Sequence, residues 1–90
     1  MKKVRLSNLF FKHLARFSKK EQEIIRSKLK FLEANPGHNS LRTKNLNGTY
    51  KNWRESSISM GIRLIWRFNK DETVIIVEDV GRHDIMKIYG

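Results

Sequence analysis

The sequence predicts an α+β fold: an N-terminal strand, a two-helix antiparallel pair, then a three-stranded antiparallel meander, with the helices on one face of the sheet. Three observations predict it. Apolar residues alternate at the start, recur every three or four positions between Phe10 and Leu32, and alternate again beyond residue 49. A sheet covered on one side by helices is the economical way to bury all these stripes together. Ninety residues suffice for one core, so the expectation is a single domain over residues 1–90.

In KVRL, Val4 and Leu6 fall on one side of a short strand and Lys3 and Arg5 on the other. The period changes at Ser7. Phe10, Leu14 and Phe17 are spaced as one helical face, and Ser7 or Asn8 caps the free amides at its start. The next helix opens on SKKE, where Ser18 and Glu21 form a capping-box pattern, and Ile25, Leu29 and Leu32 supply its apolar stripe. Asn35-Pro36-Gly37 ends it, since proline breaks the hydrogen-bond ladder. Residues 38–46 read as irregular, and Asn47-Gly48 as a tight turn. Three strands follow: TYKNWRESS, GIRLIWRF and TVIIVEDV, with a bend at SISMG and a turn at NKDE.

Composition narrows the function. Lys and Arg total 19 against 9 Asp and Glu, a net charge of +10, which favours a polyanionic partner, nucleic acid first. The absence of cysteine excludes disulfides, thiolate zinc sites and a thiol nucleophile. Asn8, Lys12, His13 and Arg16 interrupt the apolar start, unlike a signal peptide, and no run approaches the roughly 18 apolar residues of a membrane span. The chain is expected to be soluble and cytoplasmic, without contact with a membrane.

Alternation sets Ile62, Leu64, Trp66 and Phe68 toward the helices and Arg63, Ile65 and Arg67 the other way, which leaves the two arginines on the open face, about 13 Å apart. In the preceding strand Lys51, Trp53 and Glu55 share one face and Tyr50, Asn52 and Arg54 the other, and alternation does not decide which looks outward. Arg42 and Lys44 precede the sheet, and Arg82, His83, Lys87 and Tyr89 follow it. Cations interleaved with aromatic rings are what single-stranded RNA needs, phosphates on the former and bases on the latter. Such residues are also commonly solvated strand faces or core. His13 and His38 have no partner at metal spacing, and there is no Gly-rich phosphate loop, paired-carboxylate motif or HExxH pattern. His83 stands apart because Arg82 and Tyr89 accompany it and Gly81 permits a bend that aims it over the sheet.

The order of elements, with LNGTYKNWRESS, GIRLIWRF and VGRHDIMKIY, resembles the RelE/ParE superfamily of toxins from type II toxin–antitoxin systems, over Val4 to Tyr89. WRESSI, the bend, GIRLIWRF and GRH look most like the YafQ and RelE branches, which cut messenger RNA in the ribosome. The resemblance implies metal-free cleavage without a cofactor: the 2′-hydroxyl attacks the phosphate, leaving a 2′,3′-cyclic phosphate and a 5′-hydroxyl. It implies that Arg63, helped by Lys51 and Arg54, neutralises the phosphorane, that His83 protonates the leaving oxygen, and that Tyr89 stacks on or orients the RNA. Glu55, if it shares the face of Arg63, or a desolvated lysine, is the expected base. Arg42, Lys44, Trp53, Arg67, Arg82 and Lys87 are the expected RNA-binding residues. The chain departs from RelE relatives in having Trp53 or Arg54 where they carry a second lysine, and from YafQ relatives in having Ser57 where they carry a histidine. A cognate, acidic antitoxin is the implied protein partner, with operator DNA met only through that complex. The alternatives are a ParE-like inhibitor of DNA gyrase and a catalytically inactive basic binding module.

Overall fold

The computed structural model describes residues 2–90. Strand β1 (Lys3–Leu6) is followed by helices α1 (Asn8–Leu14) and α2 (Lys19–Ala34), a two-residue strand β2 (Lys44–Asn45), strands β3 (Trp53–Ser59), β4 (Ile62–Phe68) and β5 (Val74–Arg82), and a one-turn helix α3 (Met86–Tyr89). The sheet has five strands in the order β1-β5-β4-β3-β2. The meander β3-β4-β5 is its centre, β2 adds antiparallel to β3, and β1 pairs parallel to β5.

Local chemistry explains the helices. The Ser7 hydroxyl accepts from the Phe10 amide at 3.0 Å and donates to the Glu78 carbonyl at 2.6 Å, so one residue caps α1 and ties it to β5. Ser18 and Glu21 form both halves of the capping box of α2. Phe10, Leu14 and Phe17 from the first stripe and Ile25 and Leu32 from the second are buried together against Ile58, Ile62, Leu64, Trp66, Ile75, Val77 and Val80. Both helices therefore cover one face of the sheet. Its most polar member is anchored too: the Trp66 indole donates to the buried Ser56 hydroxyl at 2.8 Å, which meets Thr43 at 2.7 Å.

Three expectations need correction. The first meander strand begins at Trp53, not Thr49, because residues 48–50 form a 3₁₀ turn and Asn52 takes a left-handed φ of 77°. Residues 38–46 are not wholly irregular, since β2 pairs Lys44 with Glu55 and Asn45 with Arg54. The far face is not open along its length: Leu46, Ile65, Ile85 and Tyr89 form a second small core there, flanked by Tyr50, Trp53 and Met86. Ile65, placed by alternation among the outward residues, is fully buried in it.

Candidate active site

Sheet register decides which side chains share the far face. Lys44 lies across from Glu55, Glu55 from Ile65, and Ile65 from Asp79, while Ser57, Arg63 and Gly81 form the row nearer the β3–β4 turn. Between Ile65 and Trp66 the β4–β5 register slips by one residue. The bulge sets Glu78 and Asp79 in succession on this face, which strict alternation would not allow.

Arg63 and Glu55 form an ion pair at 3.2 Å, both side chains largely covered. The Arg63 guanidinium also donates through Nη1 to the carbonyls of Ser59 at 3.0 Å and Ile62 at 3.2 Å, which folds it over the β3–β4 turn. Its position is thus fixed before any ligand arrives. Gly81 is the cross-strand partner of Arg63, and His83 stands two residues further at the start of a 3₁₀ turn, exposed. Arg63 and Glu55 therefore share one end of the face, with Lys44 cross-strand from Glu55 and His83 on the exposed turn that follows β5.

Gly81 acts differently from the bend expected of it. A Cβ there would lie 2.7 Å from Ile85 Cδ1 and 3.0 Å from its Cβ, so the glycine makes room for Ile85 to pack on the sheet. Through Ile85 it sets the turn that carries His83.

Tyr89 is placed otherwise than as an RNA-stacking ring. It is only 7% exposed, its ring lies 4.8 Å from that of Tyr50 and 6.1 Å from that of Trp53, and its hydroxyl donates to Asp79 Oδ2 at 2.7 Å. Burial first, and then the Asp79 hydrogen bond and charge, push the phenol well above its ordinary range, so it stays a donor. Asp79 Oδ1 meets His13 Nδ1 at 2.6 Å and accepts from the Val80 amide at 2.8 Å. One buried carboxyl group thus joins α1, β5 and α3. This clasp escaped sequence reasoning because its members are 66 and 10 residues apart, and only the bulge turns Asp79 toward both.

The remaining cations scatter. Arg54 lies on the helix side, over the rings of Trp66 and Phe68, so it does not stand beside Arg63. Burial of its neighbour Ser56 with Trp66 decides the face that alternation left open. Arg82 reaches Glu21 at 2.6 Å and lies over the Phe17 ring, at the start of α2 rather than on the far face. Arg67 pairs with Glu78 at 2.6 Å. Arg42, Lys44, Lys51 and Lys87 are exposed, and Trp53 is partly so.

This architecture is a RelE-like fold. No family model matches the chain, and no curated protein matches it. Among solved structures it is similar to YafQ from E. coli strain BL21(DE3), at 16% identity over 96% of this chain and 98% of that one, with a TM-score of 0.76. It is also similar to the archaeal RelE–RelB complex from Pyrococcus horikoshii OT3, at 18% identity over 90% and 93%, TM-score 0.74. The toxin–antitoxin complex RelBE2 from Mycobacterium tuberculosis follows at 17% identity over 91% and 98%, TM-score 0.73.

Proposed function

We propose that this chain is the toxin of a type II toxin–antitoxin pair and an endoribonuclease that cuts messenger RNA, at the ribosome, in the cytoplasm. The observation that carries the reading is the covered Arg63–Glu55 pair at the end of a sheet face whose last strand leads into the His83 turn, on a strongly basic chain. The RelE-like fold, found in neighbours solved as complexes with antitoxins, supports the partner.

In this mechanism the 2′-hydroxyl loses its proton and attacks the adjacent phosphorus, and the 5′-oxygen leaves with a proton. Arg63 stabilises the phosphorane, because a fixed cation in a partly dry site acts on charge that develops only in the transition state. Incoming phosphate competes with Glu55 for the guanidinium, which frees a carboxylate next to the reacting group. Glu55 takes the 2′-hydroxyl proton, and His83 supplies the one that leaves. The exposed Lys87 holds a flanking phosphate. Tyr89, buried and tied to Asp79, is a positioning residue that holds α3 and the His83 turn against the sheet, and Tyr50 and Trp53 are the rings left for a base.

Primer-extension mapping of transcript ends after brief induction tests this. Wild type is expected to produce cuts within translated frames that vanish in His83→Ala and Arg63→Ala. Growth arrest with intact transcripts and loss of supercoiling would replace this reading by gyrase inhibition.

A further inference from the structure

At the Phe68 end of the sheet, away from Arg63 and His83, lies a cleft of about 720 Å³. Four cations line it, Lys51, Arg54, Arg67 and Lys70, against one carboxylate, Glu72. Arg54 is the unusual member. Its guanidinium lies 4.8 Å from the ring centroid of Phe68 and 5.4 Å from that of Trp66, so two rings hold it in place. Arg63, Arg67 and Arg82 each have a carboxylate partner, whereas Arg54 has no hydrogen bond or ion pair among the described residues. None of their buried polar side-chain atoms lacks a partner either, so the unpaired N–H groups of half-buried Arg54 reach solvent beside the cleft that it lines.

A planar guanidinium presents a fork that matches two phosphate oxygens at once. Most surface arginines lose side-chain freedom when they bind an anion, and this one has already lost it in folding. Lys51 and Lys70 add exposed charge at the rim, Trp53 offers a partly exposed ring, and the amides of Asn45, Asn52 and Asn69 can meet base edges. Cations around an aromatic platform suit single-stranded nucleic acid.

We infer that this cleft is a second subsite, in which Arg54 grips a backbone phosphate of single-stranded RNA away from the scissile bond and Trp53 receives an unpaired base. The inference rests on the RNA-cleaving reading and deepens it, because it gives the strand a hold that does not touch the reacting atoms.

The test is binding of a 2′-O-methyl RNA of about 12 nucleotides, which cannot be cleaved, by fluorescence anisotropy across a salt series. Each phosphate contact on a single strand adds about 0.7 to the slope of log affinity against log salt. Arg54→Gln is expected to lower that slope by about 0.7 and to weaken binding, and Arg54→Lys to keep the slope while losing affinity, since an ammonium retains the charge but not the fork. Should circular dichroism show Arg54→Gln unfolded, the exposed pair Lys51→Gln and Lys70→Gln carries the test, with an expected drop of about 1.4. A folded Arg54→Gln, or a double variant, that binds as wild type does overturns the subsite and leaves the ribonuclease reading intact, because transcript cuts are scored separately. Absence of wild-type binding at low salt also overturns the subsite, and with it the ribonuclease reading only if transcript cuts are absent too.

Discussion

Asp79 is where single-residue chemistry controls the most structure, because its buried carboxyl group receives His13 from α1, the Val80 amide and the Tyr89 hydroxyl from α3. Tyr89→Phe removes one donor and leaves the ring in place, so the loss is that of a hydrogen bond to a charged group, about 1.5–3 kcal/mol in unfolding by denaturant. The pH dependence follows from the raised phenol. Native Tyr89 keeps its proton above 10.0, its ordinary value, whereas the unfolded chain releases it there. The contribution is therefore complete below that pH and is lost as pH rises beyond it. Wild-type stability should fall as pH rises beyond 10.0, and Tyr89→Phe should show a flatter limb that approaches wild type at the alkaline end. Parallel limbs would mean that folding does not raise the phenol.

The start of α2 shows how an element is set by neighbours close in sequence and then fastened by one that is distant. Ser18 accepts from the Glu21 amide at 3.1 Å, the Glu21 carboxylate accepts from the Ser18 amide at 3.1 Å, and the same carboxylate receives Arg82 from the end of β5. Ser18→Ala should cost about 1 kcal/mol, a fall of about 4–8 °C in Tm for a domain of this size. Glu21, held by Arg82 first and by the Ser18 amide next, is lowered from 4.5 to about 2. Its contribution is present above pH 4.5 and disappears as pH falls toward 2, so Glu21→Gln should lie below wild type in Tm at neutral pH and meet it near pH 2. The local half of this, SKKE and the Phe10-Leu14-Phe17 stripe, was legible in the sequence because caps and helical periods lie within a few residues. Arg82 was not legible as a helix fastener, since nothing near it names Glu21. Strand β2 left no local signal for the same reason: two residues become a strand only by pairing with Arg54 and Glu55. Of the candidate site, the shared face of Arg63 and Glu55 followed conditionally from alternation. The bulge at Glu78, which alternation cannot foresee, hid Asp79 and the burial of Tyr89.

At the scale of the molecule, a net charge of +10 works against the fold that carries it. The protein measures 34 × 29 × 26 Å. At 10 mM salt the screening length is about 30 Å, so nearly every cation repels every other, whereas at physiological salt it is about 8 Å and only neighbours interact. Three arginine–carboxylate pairs among the described residues hold by short contacts, and these are screened less than the long-range repulsion because most of their members are partly covered. Stability should therefore rise with salt while affinity for RNA falls, since the same excess of cations drives both terms with opposite sign. Thermal unfolding and RNA binding measured in one salt series from about 10 to 150 mM check this. A Tm that climbs as binding weakens means that the charge is kept at a cost to folding for the sake of a polyanion. A Tm that falls with salt would mean that the cations are already neutralised within the fold, and the basic faces would lose their standing as a surface for RNA.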